Sequence, residues 1–277
     1  AVTVDRSGYR SIARGQGLPD VAKPDASRLF AVTVGTDLYD DPGFTRLYAA
    51  KGDAERFSEL ALTTKGRLYS DVIPTPFHDE RALKSKLTAR IRAVVAEAGP
   101  QDTIMLFAAA HGDQGRDGKF YLVTRDTEKA NLENTAIAWD DIAAALQGVR
   151  ARVVVFLDAC RSGAAGQVSG TNDDAVAALL ARDAPITVIA ASKGRQDSEE
   201  LKLPNGFVVG AFTSELVNAV VIDRAKTDTN ANGAIELAEL YGAIKPRVVA
   251  ATANNGDDNK QTPWIARNQM VGEIPLF

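Results

Sequence analysis

Two apolar runs that end in polar residues decide the fold of this chain. They are TIMLFAAAHGD at residues 103–113 and RVVVFLDACRSG at residues 152–163. Each run has the length of a strand and is rich in aliphatic residues, without polar residues in alternation. A strand of this kind is buried on both faces, which is typical of a parallel sheet covered by helices. We therefore predict buried strands of one such sheet at residues 103–110 and 152–158, each running directly into the polar residues that end its run.

The rest of the chain alternates between strand patterns and helix patterns. Apolar residues recur at helical spacing between the strands, as at Leu83, Leu87 and Ile91. This alternation predicts an α/β fold with a mostly parallel sheet and helices on both faces. Further strands are predicted at residues 29–35, 67–74, 185–191 and 262–266, a hairpin arm at 119–124, and helices at 50–62, 80–99, 139–146, 212–222 and 236–251.

Composition and charge are those of a soluble globular protein. Of the 277 residues, 45% are hydrophobic and the net charge is only −4, so the chain can bury a sizeable core and is not disordered. Residues 1–27 carry scattered Gly and Pro without a period, and we predict that they form an N-terminal extension or linker. Residues 28–277 are then the folded domain.

The same numbers exclude several classes of partner. Acidic residues outnumber basic ones by 36 to 32 and no basic cluster stands out, which argues against a nucleic-acid binder. No run of about 18 apolar residues exists, so we expect no membrane span. Because the chain begins with Ala1, its compartment stays open between the cytoplasm and export after loss of a signal peptide. The oligomeric state is also open, and a monomer is compatible with the sequence.

One of the two histidines and the only cysteine follow the predicted strands at residues 103–110 and 152–158. His111 and Cys160 each stand where a buried strand ends, and the carboxyl ends of parallel strands meet at one edge of a sheet. A nearby imidazole can take the proton of a thiol and leave the more nucleophilic thiolate. The amides of Gly112 and Cys160 are the natural donors to an oxyanion, and Gly112 would let a substrate approach the backbone. This arrangement suits a nucleophilic pair.

Taken singly, each residue has a plainer interpretation. A lone cysteine in an apolar chain is often a small buried hydrophobe, and a histidine before glycine is often a turn residue. Placement of both at matched strand ends favours the catalytic interpretation.

The segment Phe107-Ala-Ala-Ala-His111-Gly112, followed by Leu157-Asp-Ala-Cys160-Arg-Ser-Gly163, resembles the caspase/metacaspase clan of cysteine peptidases. The resemblance implies a caspase-like three-layer sandwich and a cysteine endopeptidase activity on protein or peptide substrates. Among members of the clan, the chain is most similar to bacterial metacaspase-like proteins, the orthocaspases. It departs from their pattern at Ala109-Ala110, which leaves a second interpretation open: a catalytically silent caspase-like module that serves in signalling or as a scaffold.

The resemblance also implies a specificity for basic residues. Animal caspases have Gln two residues before the nucleophile, whereas this chain has Asp158. In metacaspases this Asp and another in the first helical region line an acidic S1 pocket, and the matching positions here are Asp158 and Asp53. An Arg side chain can pair with a carboxylate through two hydrogen bonds, so cleavage after Arg or Lys is implied. The plainer interpretation is a structural carboxylate at Asp158 and a helix-start acid at Asp53.

A second motif is a candidate calcium loop. Residues 228–239 fit the pattern D-x-[DN]-x-[DN]-G-x5-E, with oxygen ligands from Asp228, Asn230, Asn232 and Glu239. The alternative is a tight turn between helices in which Asn or Gly takes a left-handed conformation. We otherwise expect no cofactor requirement.

Overall fold

The computed structural model describes residues 2–4, 10–12, 27–161, 175–176, 179, 186–193, 196, 198–253, 260–267 and 274–277. For residues 2–4, 10–12, 160 and 161 it describes the backbone only. Within the predicted extension, β1 (Val2–Val4) and β2 (Arg10–Ile12) form an antiparallel pair.

A central sheet of eight strands organises the domain. The described strands that follow are β3 (Arg28–Gly35), β4 (Asp71–His78), β5 (Thr103–Gln114), β6 (Phe120–Leu122), β7 (Ile137–Ala138), β8 (Arg152–Arg161), β9 (Ile186–Ala190), β10 (Glu200–Lys202), β11 (Val208–Gly210) and β12 (Trp264–Arg267). The main path of the sheet runs β12-β9-β8-β5-β3-β4 and is parallel throughout except at β12. From the end of β5, the strands β6 and β7 extend the sheet antiparallel. A separate antiparallel hairpin is formed by β10 and β11.

Helices cover both faces of this sheet. The described α-helices are α1 (Ala50–Leu62), α2 (Lys84–Glu97), α3 (Leu132–Thr135), α4 (Trp139–Ala145), α5 (Ala211–Val217), α6 (Arg224–Thr227) and α7 (Leu237–Ala251). One face of the sheet packs against α2 and α4, and the other packs against α1, α5 and α7. The predicted α/β fold with a mostly parallel sheet and a three-layer arrangement is confirmed.

The two cores follow from the pleat of the strands. Phe30, Val32 and Val34 of β3 lie in one buried cluster, whereas Leu29 and Ala31 lie in the other. Successive side chains of a strand point to opposite faces, so a strand that is apolar at every position must be buried twice. This is why the unalternating runs of the sequence became the middle of the sheet.

One predicted strand is displaced along the chain. The strand expected at 67–74 forms at Asp71–His78. The preceding residues make a turn instead: the N–H of Leu68 donates to the carbonyl of Thr64 at 2.9 Å, and Gly66 has a φ of +73°. This turn, with its left-handed glycine, follows the end of α1 and delays the strand.

Two predicted helices differ at their ends. The helix expected at 80–99 begins at Lys84, because Asp79–Arg81 forms a tighter turn of 3-10 type. The helix expected at 212–222 widens into a π-helical turn from Asn218 onward. In the described part of the chain, no helix is long and apolar enough to cross a membrane.

Candidate active site

The ladder between β5 and β8 sets two predicted site residues side by side. Its register pairs His111 with Cys160 and, two residues earlier, Ala109 with Asp158. Neighbouring strands lie about 4.8 Å apart, so the backbones of His111 and Cys160 are in direct contact. The side chain of Cys160 lies outside what the structure describes. The topology therefore brings the histidine and the cysteine to adjacent positions of one sheet edge, where the sequence predicted them.

The His111 ring has a fixed orientation. It is only 3% exposed, and its Nε2 lies 2.8 Å from the carbonyl oxygen of Thr45. A carbonyl only accepts, so Nε2 carries the hydrogen of the neutral ring. Nδ1 is buried and has no hydrogen-bond partner among the described residues. The neutral ring therefore presents an unused lone pair on Nδ1.

An aromatic wall covers one side of this ring. Tyr39 stacks on His111 with ring centroids 5.0 Å apart, and Phe44 lies beyond at 6.3 Å. The Tyr39 hydroxyl also accepts the His111 backbone N–H at 2.9 Å and donates to the carbonyl of Thr36 at 3.0 Å. Burial lowers the pKa of His111, and the hydrogen bond to Thr45 opposes that shift. The environment thus favours the neutral imidazole.

Packing requires glycine at position 112, for a reason that the sequence did not reveal. Its strand continues to Gln114 and pairs with β6, where Gly112 lies opposite Leu122. The ring of Phe120 fills the space that a Cβ on Gly112 would need. A side chain at this position would displace Phe120 and with it the β6 arm beside His111.

Asp158 lines a pocket next to the pair. The pocket is open to solvent and is also lined by Ala109 and Ala110. Asp158 is 5% exposed, and its Oδ1 has no hydrogen-bond partner within the described residues. Burial raises the pKa of Asp158 to about 6, although a hydrogen bond from Ser198 opposes the shift. A buried carboxylate oxygen without a donor is an open position for a cation.

Asp53 lines the same pocket from the first turn of α1. One of its oxygens accepts Nη1 of Arg56 at 2.9 Å and the other accepts the N–H of Gly210 at 2.9 Å. Burial and the charge of Asp158 raise the pKa of Asp53 well above its ordinary value, and Arg56 opposes this. The two predicted pocket acids are thus brought together, but Asp53 already has a cationic partner.

Glu200 is a third acid of this pocket, and the sequence analysis missed it. It is the first residue of β10, and its carboxylate accepts the N–H groups of Tyr48 at 2.8 Å and Ala49 at 2.7 Å. No motif or periodicity marks Glu200, because it reaches the pocket from a short polar hairpin more than 150 residues along the chain from its partners. Thr45 and Tyr39 were missed because they reach His111 from an irregular loop, 66 and 72 residues earlier in the chain.

The candidate calcium loop forms a turn closed by its own hydrogen bonds. Glu239 accepts the N–H of Asn230 at 3.1 Å, and the Asp228 carboxylate accepts the N–H groups of Asn232 at 3.1 Å and Gly233 at 2.9 Å. The described residues contain no group of three or more His, Cys, Asp and Glu side chains that could hold a metal. The carboxylates serve the turn here, and calcium binding stays a prediction.

Comparison with known proteins adds a family and a fold. The sequence model of the caspase domain matches residues 29–274. Protein GSU0716 from Geobacter sulfurreducens is similar in structure, with a TM-score of 0.61 and 19% identity over 88% of this chain and 95% of that one. Among curated proteins, none matches this sequence.

Two caspase structures are similar as well. One is pro-sf-caspase-1, with a TM-score of 0.59 and 12% identity over 93% of this chain and 95% of that one. The other is caspase-1 from Spodoptera frugiperda, with a TM-score of 0.57 and 15% identity over 92% and 94%. At these identities the likeness establishes the fold alone.

Proposed function

The chain belongs to the caspase-domain family of cysteine peptidases, and from that premise we propose that it is a cysteine endopeptidase that cleaves after Arg or Lys. Cys160 is the nucleophile and His111 is the general base and acid. The observation that carries the proposal is the ladder register that pairs these two residues at the carboxyl edge of the sheet. Asp158, where animal caspases have Gln, supports a position among the bacterial metacaspase-like members.

The tautomer of His111 suits the first chemical step. With the hydrogen on Nε2 held by Thr45 at 2.8 Å, the Nδ1 lone pair takes the proton from the Cys160 thiol. The thiolate then attacks the carbonyl carbon of the scissile peptide, and the carbonyl oxygen becomes an oxyanion. The imidazolium that forms still donates from Nε2 to the Thr45 carbonyl, so the ring need not turn.

The second half returns the enzyme to its starting state. Nδ1–H of His111 protonates the departing amine as the peptide C–N bond breaks, which leaves a thioester on Cys160. Water then loses a proton to Nδ1 and attacks the thioester carbonyl, and the thiolate leaves and recovers its proton. The amides of Gly112 and Cys160 are the proposed donors to the oxyanion in both halves.

The pocket carboxylates support the specificity for basic residues. Asp158 has an oxygen that receives no hydrogen bond from any described residue, and Asp53 and Glu200 add negative charge along the same wall. The pKa values of Asp158 and Asp53 are raised because both carboxyl groups are buried and lie near other acids. A guanidinium or ammonium group would relieve that repulsion, whereas an acidic side chain would add to it.

The proposal is tested by cysteine-dependent turnover. Fluorogenic peptides that differ only at P1, as Arg, Lys or Asp, are offered to the wild type, to Cys160→Ala and to His111→Gln. We expect cleavage after Arg and Lys that both substitutions abolish, while His78→Gln, at the other histidine, leaves it unchanged. Absence of cleavage that depends on Cys160 would refute the endopeptidase proposal, and cleavage after Asp alone would refute the specificity.

A further inference from the structure

The carbonyl that orients His111 belongs to a loop without regular secondary structure. Thr45 lies in the segment 36–49 between β3 and α1, and its carbonyl oxygen meets Nε2 at 2.8 Å. No helix or strand holds Thr45 itself in place. The orientation of the ring therefore depends on what anchors this loop.

Glu200 anchors the end of the loop. Its Oε1 accepts both the N–H of Tyr48 and the N–H of Ala49. Ala49 is the N-cap residue of α1 and has no side chain that could cap the helix, so an acceptor oxygen from elsewhere satisfies these donors. Two further amide bonds lie close to Thr45: the N–H of Leu47 donates to the carbonyl of Asp37 at 3.0 Å, and the N–H of Phe44 donates to the carbonyl of Asp41 at 3.2 Å.

The hairpin that carries Glu200 is itself tied back to α1. Glu200 pairs with Gly210 across β10 and β11, and the N–H of Gly210 donates to Asp53 at 2.9 Å. A Cβ on Gly210 would collide with that same Asp53 oxygen, so the approach requires glycine. Two carboxylate–amide links in opposite directions therefore join the hairpin to the start of α1 and fix where Glu200 can reach.

We propose that Glu200 is a positioning residue for His111: its carboxylate holds the Tyr48–Ala49 backbone so that the Thr45 carbonyl keeps the hydrogen of the ring on Nε2. The kinetic consequence rests on the proposed endopeptidase function, whereas the ring orientation does not. This positioning role depends on an acceptor oxygen within hydrogen-bond distance of the Tyr48 and Ala49 N–H groups, and not on the negative charge.

Two variants of Glu200 separate the effect of side-chain length from the effect of its negative charge. Glu200→Gln loses the charge and keeps an acceptor oxygen at the same distance, whereas Glu200→Asp keeps the charge and withdraws the oxygen by one methylene. Glu97→Asp is the matched control, since it makes the same change in an exposed glutamate that bonds to Arg28 at the amino end of β3. Thermal unfolding of each variant establishes that it is folded.

The first readout is the tautomer of His111 by nitrogen NMR, which needs no turnover. The chain has only two histidines, so His78→Gln assigns the signals. We expect the Nε2–H tautomer in wild type, Glu200→Gln and Glu97→Asp, and a mixture of tautomers in Glu200→Asp. The proposal is overturned if Glu200→Asp keeps the single tautomer, if Glu200→Gln loses it, or if wild type lacks it.

The second readout is the split between kcat and KM. Because small misplacements of a catalytic group cost about 100-fold in rate, we expect kcat to fall about 100-fold in Glu200→Asp. Glu200→Gln should raise KM for a basic substrate, because the pocket loses a negative charge, and should lower kcat less than Glu200→Asp does. Equal losses of kcat in both variants would contradict the proposal. A chain without cysteine-dependent cleavage but with the expected tautomers would refute the endopeptidase function and leave the positioning role intact.

Discussion

Asp158→Asn is expected to make the protein more stable and less active at the same time. The substitution keeps the shape of the side chain and removes its charge. The pKa of Asp158 is raised from 3.8 to about 6 because the carboxyl is buried. A rise of about two pKa units corresponds to about 3 kcal/mol of folding free energy that the ionised carboxylate costs.

The sign follows from the two states of the carboxyl group. Below about pH 4 it is protonated in the folded and the unfolded chain, so the substitution changes little there. Above about pH 6 the folded chain holds a charge that its surroundings disfavour, and the full 3 kcal/mol applies. We therefore expect Asp158→Asn to raise Tm by about 6–12 °C at pH 7.5 and hardly at all at pH 4.

The same change should weaken cleavage after Arg. A hydrogen bond to a charged group contributes about 1.5–3 kcal/mol, so kcat/KM for an Arg substrate is expected to fall about 10- to 150-fold. Scanning calorimetry at both pH values and steady-state kinetics measure the two effects, with Glu97→Gln as an exposed control. A variant that is no more stable at pH 7.5 and still prefers Arg would refute the reasoning.

Three further expectations concern other parts of the site. Tyr39→Phe removes the acceptor of the His111 backbone N–H and should destabilise the fold by about 1–3 kcal/mol, which urea unfolding measures; unchanged stability would show that this bond contributes nothing. Gly210→Ala forces a Cβ against Asp53 and should lower the free energy of unfolding by about 1–3 kcal/mol. Gly242→Ala, with open space around it, should not lower it. Equal effects of the two substitutions on Tm would contradict the clash. If residues 228–239 bind calcium, millimolar calcium should raise Tm in wild type and not in Glu239→Gln, and an identical Tm with calcium and with EDTA would leave the loop as a turn.

Local patterns predicted the fold where one element could be understood without its neighbours. The helix expected at 50–62 forms at Ala50–Leu62, and the two runs around His111 and Cys160 are adjacent strands. Apolar periodicity can be read within a single segment, because the positions of that segment that are buried on one or both faces carry apolar residues. The strand expected at 67–74 forms later, since a left-handed turn at Gly66 intervenes and leaves no apolar signal.

The residues of the site also fall into two groups, those that the sequence reveals and those that it does not. His111, Cys160 and Asp158 are visible in the sequence because they stand at the carboxyl ends of long apolar runs, and parallel strands bring their carboxyl ends to one edge of the sheet. Glu200, Tyr39 and Thr45 have no such marker, because their roles depend on hydrogen bonds between segments far apart along the chain.

The sequence by itself determined the α/β layering and the edge where chemistry can occur, because hydrophobic burial is encoded residue by residue. Only the tertiary structure decided which nitrogen of His111 is left open, which oxygen of Asp158 lacks a donor, and that Glu200 braces the loop beside them. Those properties depend on the direction and distance of single polar groups, and a chain reveals them only once it has folded.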